Sequence, residues 1–315
     1  MSLSIAVIGA GYFGRFHALK LARAPRARLL GLHDADPARA AAIAQEAGCA
    51  ALGLDAALAA DAVVIATPTR HHAPLALRAL AGGAHVFVEK PIAATTAEAD
   101  AMIAAAEKAG RVLMVGHIER HSAAIRTLRD SLNESMGARR LRALEAVRVA
   151  PFRPRSLDVS VVLDLMIHDL DLILSLAGAP LSSVQAVGGA VVTPHADWAV
   201  AHLGFADGTR AQVTASRLAT GLERRLRALG PEGELRVDFL ARSLEFLSPQ
   251  GGGAAVEHLP GWGIERRSWS DHDSLEAQHA AFIAAILDQA PHEADGAAGR
   301  AALDAALRIE AAIAG

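Results

Sequence analysis

Short apolar runs alternate with helical stretches through the first third of the chain. Ile5-Ala6-Val7-Ile8 is a buried-strand pattern that ends at Gly9. Residues Arg15 to Ala22 then read as a helix with Phe16, Leu19 and Ala22 inward. A second run, Leu29 to Leu32, ends in His33-Asp34, and an alanine-rich helix from Ala38 to Ala47 stops at Gly48. The alternation continues with a short helix over Asp55–Ala60, a strand over Ala62–Ala66, a helix over Ala73–Ala81 and a strand over His85–Val88. A helix over Thr96–Ala109 and a strand over Arg111–Val115 close the series. Strands that are apolar throughout, separated by helices, predict a parallel sheet covered on both faces. Ligands of such sheets sit beyond the carboxyl ends of the strands. Gly9, Asp34, Thr67, Glu89-Lys90 and His117 all stand at those ends.

The texture changes after Ile118. A polar, Arg-rich helical stretch runs to Arg140, and Leu141–Val149 reads as a strand. An irregular basic loop, Pro151-Phe152-Arg153-Pro154-Arg155, leads into a strongly apolar helix over Val161–Leu176. From Val184 onward strands follow one another without helices: Val184–Val187, Trp198–Phe205, Arg210–Ser216, Arg224–Leu229, Glu234–Phe239 and Ser243–Leu247. Asp207-Gly208 is a hairpin turn between two of them. Such succession predicts a largely antiparallel sheet. Helices near Leu275–Leu287 and Gly299–Ile313 finish the chain, and Gly251-Gly252-Gly253 reads as a mobile loop.

Composition narrows the function classes. A length of 315 residues suggests two domains, at about 150 residues each; the change in texture puts them at 1–118 and 119–315. A formal net charge of −3 offers no basic stripe for nucleic acid. The long uncharged stretch from Leu172 to Ala196 is broken by Gly178, Pro180, Pro194 and a serine pair, so no membrane span is expected. The N-terminus lacks a basic segment ahead of an apolar core, so no signal peptide is expected. The single cysteine, Cys49, excludes an internal disulfide and a cysteine metal site. The expectation is a soluble cytoplasmic protein.

The candidate chemistry begins at Gly9-Ala10-Gly11-Tyr12-Phe13-Gly14, a G-x-G-x-x-G between a strand and a helix. That is the context of the dinucleotide fingerprint. Gly9 permits the tight turn, Gly11 lets the backbone approach a pyrophosphate, and Gly14 lets helix and strand pack closely, with the helix N-terminus facing the phosphates. Asp34 lies 34 − 14 = 20 residues past Gly14, where an acidic residue binds the ribose 2′-hydroxyl. In the alternative, Asp34 and Asp36 shape a turn, with Asp36 capping the helix that begins at Pro37. No arginine directly follows Asp34 to hold a 2′-phosphate, so NAD is expected over NADP.

Glu89-Lys90-Pro91 follows a strand at the ligand-facing edge, with the lysine squeezed between apolar residues and a proline. Asp164 and His168 stand at i and i+4 on the apolar helix, with Asp171 three residues on. Burying several ionisable groups there is costly unless they are paired. A carboxylate that orients an imidazole gives a general base near neutral pH. A structural pair and a metal site are the other readings of this cluster, acid–base work the one preferred, and no metal is expected. Of His71-His72, which follow Thr67-Pro68, one lines the cofactor site; His117 and His121 read as structural.

Together these residues resemble the glucose–fructose oxidoreductase / inositol dehydrogenase family (Gfo/Idh/MocA). The likeness rests on the glycine turn, Ala66-Thr67-Pro68-Thr69-Arg70-His71-His72, Glu89-Lys90-Pro91, Asp164-x-x-x-His168-x-x-Asp171 and the last helix from Gly299, and covers essentially the whole chain. It implies an N-terminal Rossmann domain binding NAD through Gly9, Gly11, Tyr12, Phe13, Gly14, Asp34, Thr67, Pro68, His72, Glu89 and Lys90. It implies a C-terminal α+β domain with a large open sheet that mediates dimers or tetramers. It further implies oxidation of a secondary hydroxyl of a sugar or cyclitol by Lys90, Asp164 and His168, with His117 also near substrate. Met166 departs from the glycine that many members carry there. The segment from Asp164 to Leu174 looks most like the branch with UDP-N-acetylglucosamine 3-dehydrogenases, which prepare a 3-amino sugar for lipid A or surface polysaccharide. A diphosphate needs cations, and Arg153 and Arg155 are the candidates. A dehydrogenase of a free sugar or inositol, and an NAD-binding regulator without activity, are the other readings.

Overall fold

The computed structural model describes residues 2–135, 141–154, 157, 159–249, 253–270 and 273–315. Its first sheet is built from β1 (Leu3–Ile8), β2 (Ala27–His33), β3 (Ala50–Ala51), β4 (Ala62–Ile65), β5 (His85–Val88) and β6 (Leu113–Val115). They lie in the order β3-β2-β1-β4-β5-β6, every pair parallel. The order reverses between β1 and β4, where open α/β sheets hold their ligands. The intervening helices are α1 (Tyr12–Leu21), α2 (Pro37–Ala47), α3 (Leu54–Leu58), α4 (His72–Ala81) and α5 (Thr96–Ala109). Their ends carry the expected chemistry: the Asp36 carboxylate accepts from the Ala38 and Arg39 N–H groups, and Gly48 stops α2 in the left-handed region.

Helix α1 differs from its reading in the sequence. It begins on the glycine turn itself, so Gly14, His17, Ala18 and Leu21 face the sheet, while Phe16 and Leu19 are half-buried. The inward histidine displaces the expected aromatic.

Next come α6 (Ala123–Ser135), β7 (Ala143–Val149), one turn of π-helix (Val162–Met166) and α7 (Ile167–Ala177). The strands β8 (Leu181–Gly189), β9 (Trp198–Phe205), β10 (Arg210–Ser216), β11 (Glu223–Gly230), β12 (Gly233–Asp238), β13 (Ser243–Ser248), β14 (Ala254–Ala255) and β15 (Gly263–Ser268) complete a nine-stranded sheet. Its order is β14-β15-β13-β12-β11-β7-β10-β9-β8. Only β7 and β10 run parallel; the rest is antiparallel, as the succession of strands predicts. Strands β14 and β15 escape the sequence reading because β14 is two alanines and β15 carries four polar residues in six. Gly251 and Gly252 of the expected loop, and the end of the Arg-rich stretch at Arg140, lie outside the described residues.

One face of this sheet is apolar. Leu144, Ala146, Leu203, Val213, Leu226, Leu235 and Leu244 pack with Val162, Met166, Leu170 and Ile173. The other face carries a row of charges in register: Glu145 opposite Arg227, Arg227 opposite Arg236, Arg236 opposite Glu245, Glu245 opposite Arg266.

The chain ends with α8 (Ser274–Leu287) and α9 (Gly296–Ala314). By its packing it divides into one unit of Met1–His121 with Asp273–Leu303, and another of Ser122–His272 with Asp304–Gly315. A single boundary after residue 118 therefore misses the return of the chain. Phe282 and Ile283 of α8 and the following Ala294 join the core of the first unit, with Val64, Phe87 and Met114. No helix among the described residues is long and apolar enough to cross a membrane.

A bidentate ion pair is buried beneath α7. Arg148 of β7 donates from Nε and Nη2 to the two carboxylate oxygens of Asp169, at 2.7 and 2.9 Å, with both side chains almost fully enclosed. A buried pair adds little over an apolar replacement, but breaking it strands a charge. Arg148→Met is expected to cost about 3–5 kcal/mol in a urea titration, and Arg148→Met with Asp169→Leu is expected to recover most of that loss.

Candidate active site

The three glycines of the turn act through three separate spaces. Gly9 has φ +106°, and a Cβ there would lie 2.5 Å from the Ala66 carbonyl oxygen at the end of β4. A Cβ on Gly14 would lie 1.8 Å from the Gly9 carbonyl oxygen. Above Gly11 an added Cβ meets no atom within 4 Å. Two glycines thus let the backbone close on itself, and the third leaves open the approach to the α1 N-terminus.

Beside this turn is a cavity of about 520 Å³ in the first unit. Gly9, Gly11, Asp34, Thr67 and Pro68 are on its wall. Asp34 is held in place rather than left to rotate: the Ala10 N–H donates to its Oδ2 at 2.7 Å and the Asp36 N–H to its Oδ1 at 2.9 Å. Each oxygen keeps a further lone pair for a ribose hydroxyl. The Thr67 Oγ is buried and has no hydrogen-bond partner among the described residues. An unpaired buried hydroxyl on a cavity wall is a site waiting for a polar ligand atom. The open approach at Gly11, the fixed carboxylate and this hydroxyl together fit NAD.

The wall also holds residues the sequence reading did not select, Arg39, Arg70 and Arg78, together with His71. Arg39 approaches Asp34 to 3.8 Å from further along α2, a place that the residue directly after Asp34 does not reveal. Of the two adjacent histidines the structure puts His71, not His72, on the cavity. His72 is buried at the start of α4, with Nδ1 2.8 Å from the Pro91 carbonyl oxygen and Nε2 2.8 Å from the Thr67 carbonyl oxygen. Burial lowers its pKa against the pull of the two carbonyls. It ties the segments that follow β4 and β5 to each other and is not on the cavity wall. Tyr12 and Phe13 stand exposed on the first turn of α1, off the cavity wall.

Lys90 follows β5, and its bond to Pro91 is cis. The Glu89 carboxylate is turned to its neighbours: Oε1 lies 2.8 Å from His17 Nε2, and Oε2 accepts from the Lys90 N–H at 3.2 Å. Burial opposes its charge, but the hydrogen bond with His17 and the charge of Lys90 outweigh it, and its pKa lies below the usual carboxylate value. His117 is buried just past the end of β6.

In the second unit the π turn modifies the expected i, i+4 geometry. The Ile167 N–H bonds the Val162 carbonyl, five residues back. Asp164 is in this widened turn and His168 is in the first turn of α7, both half-buried, so the two residues straddle a change of helical pitch. Such single turns recur at functional sites. Asp169 points to Arg148, and Asp171 is fully buried. Arg153 is exposed, and Arg155 lies outside the described residues.

Residues 3–117 match a family described as an oxidoreductase family with an NAD-binding Rossmann fold, and residues 142–236 match a GFO/IDH/MocA C-terminal domain. The chain is 43% identical to the UDP-N-acetylglucosamine 3-dehydrogenase of Acidithiobacillus ferrooxidans, over 98% of this chain and 96% of that protein. It is 30% identical to an inositol 2-dehydrogenase of Rhizobium meliloti, over 98% and 97% of the two chains. A solved structure of UDP-N-acetylglucosamine 3-dehydrogenase GnnA from Acidithiobacillus ferrooxidans superposes with a TM-score of 0.92 at 42% identity, covering 99% and 98% of the chains.

The glycine geometry separates folding from binding. Gly14→Ala forces a methyl into the Gly9 carbonyl and is expected to lower stability by about 1–3 kcal/mol in chemical denaturation. Gly11→Ala fills only open space and is expected to leave stability within about 0.5 kcal/mol while weakening NAD binding at least tenfold by titration calorimetry.

Proposed function

The chain belongs to the Gfo/Idh/MocA family of NAD-binding oxidoreductases, and we propose that it oxidises the C3 hydroxyl of UDP-N-acetylglucosamine to the 3-keto sugar. The observation that carries this reading is the 43% identity to an enzyme of that activity, which extends over 98% of the chain. Inositol oxidation is the second reading, favoured by the full-length likeness to an inositol 2-dehydrogenase at 30%.

NAD, when bound, supplies the acceptor for the hydride that leaves the carbinol carbon. Asp34 and the backbone at Gly11 hold the dinucleotide, and the Thr67 hydroxyl gives it a further polar contact. His168 takes the proton of the substrate hydroxyl, as a neutral imidazole does near neutral pH. The Lys90 ammonium donates to the same oxygen and stabilises the negative charge that develops there. Asp164 orients the imidazole. Arg153, exposed on the loop before the π turn, is the cation assigned to the diphosphate of a nucleotide sugar. The product is a ketone beside an acetamido carbon, ready for a transamination that makes a 3-amino sugar for lipid A or surface polysaccharide. A reaction that consumes both NAD and a nucleotide sugar belongs in the cytoplasm, where both are made.

The same reading extends to assembly into a homodimer or homotetramer. The charged row across the open face of the second sheet alternates in sign at Glu145–Arg227 and Arg236–Glu245–Arg266, so two copies can meet there with opposite charges opposed.

Purified enzyme is expected to form NADH with UDP-N-acetylglucosamine and not with myo-inositol or free hexoses. Turnover of myo-inositol alone would establish the second reading. His168→Ala is expected to lower kcat by about 10²–10⁴-fold; an unchanged rate removes the histidine from the chemistry. Sedimentation is expected to give an oligomer that Arg236→Glu weakens, and a monomeric parent enzyme sinks the assembly.

A further inference from the structure

Three ionisable side chains of the first unit form a closed array under the lysine turn. His17 comes from α1, His279 from α8 and Glu89 from the end of β5. His17 Nε2 lies 2.8 Å from Glu89 Oε1, and His17 Nδ1 lies 2.8 Å from His279 Nε2. Both histidines are buried. Their rings are packed on Phe87, with centroids at 5.4 and 6.1 Å, and Phe87 packs in turn on Phe282 at 5.7 Å. Gly116 makes room for the acid: a Cβ there would lie 2.9 Å from Glu89 Oε1.

Hydrogen-bond chemistry fixes the protons. A carboxylate only accepts, so His17 Nε2 must carry hydrogen. A neutral His17 then has a bare Nδ1, which accepts, so His279 must donate from Nε2. The remaining His279 Nδ1 is left as a lone pair, and that atom is buried with no hydrogen-bond partner among the described residues. The opposite assignment would put a buried N–H there with nothing to receive it, the costlier arrangement. Every link therefore runs one way, from His279 through His17 to Glu89. Burial, aided by the charge of Lys20, holds the His279 pKa well below its ordinary value, in keeping with a neutral ring.

A carboxylate and two imidazoles in an apolar core do not repay their desolvation as packing; residues of like volume without charge would do as well. What the array does accomplish is to immobilise Glu89, whose other oxygen accepts from the Lys90 N–H. We propose that His17 and His279 are positioning residues, which by fixing Glu89 set the direction in which the Lys90 side chain leaves the chain. This rests on the reading of Lys90 as the group that stabilises the developing alkoxide.

The test compares His17→Leu, which removes both links, with His17→Gln, whose amide N–H can replace Nε2–H toward Glu89. Steady-state oxidation of UDP-N-acetylglucosamine, NAD affinity and thermal melting are measured for each, beside Lys90→Met. His17→Leu is expected to lower kcat at least tenfold with NAD affinity within twofold of the parent, and His17→Gln to restore most of the lost rate. In the parent enzyme, ¹⁵N spectra of labelled histidine are expected to show both rings as neutral Nε2–H tautomers. A folded leucine variant with parental kcat overturns the proposal, as does a glutamine variant no faster than leucine, or a His17 ring protonated on Nδ1. If the leucine variant does not fold, His279→Gln, which can still donate to His17, and the parent tautomers decide. Loss of rate in Lys90→Met with none in His17→Leu defeats the positioning alone. A Lys90→Met enzyme at full rate defeats the reading of the lysine, and the proposal with it.

Discussion

The site depends on how closely two stretches of backbone approach each other. With no side chain at Gly14, the first turn of α1 settles on the carbonyl of Gly9 at a separation no Cβ could tolerate. That approach fixes the helix against the sheet, and much else is carried with it. The Ala10 N–H is brought onto Asp34, so the acid at the end of β2 is oriented by the turn itself. The inward stripe of α1 brings His17 beneath β5, where it reaches Glu89. One steric allowance thus sets a cavity wall, the carboxylate fixed upon it and the footing of a lysine.

Much of this was readable beforehand, because it is written in local pattern. Uniformly apolar runs bounded by Asp36-Pro37, Gly48 and Gly110 specify strand and helix with little ambiguity, and the glycine turn and the acid it predicts, Asp34, share one cavity wall through Gly9 and Gly11. What escaped was decided by packing. Whether His71 or His72 faces a cavity depends on where α4 starts, since neighbouring residues on a helix point some 100° apart. Arg39, Arg70 and Arg78 reach the cavity only once α2 and α4 are laid against the sheet. His279 is remote in sequence from His17, and no periodicity links them. The π turn is a one-residue departure from a regular helix, which leaves hardly a trace in an apolar pattern.

The second unit handles its buried charges by division of labour. Four ionisable residues stand close together from Asp164 to Asp171, and the sequence alone permits several pairings. The structure removes one of them: Asp169 is committed to Arg148, a residue of the strand β7. The residue directly before Asp169 is His168, so the buried pair anchors the backbone on which the imidazole is carried. The widened turn at Asp164 then changes which residues share a face, a rearrangement that a regular helix of the same sequence would not provide.

The course of the chain has a consequence for how the protein comes into being. Helix α8 supplies Phe282 and Ile283 to the core that surrounds β4 and β5, and His279 to the array under Glu89. These residues leave the ribosome only after the whole nine-stranded sheet has been made. Domains ordinarily fold in the order of their synthesis, yet the dinucleotide-binding unit remains without part of its interior until almost the last helix emerges. The nascent N-terminal segment therefore keeps part of its apolar surface uncovered until α8 emerges.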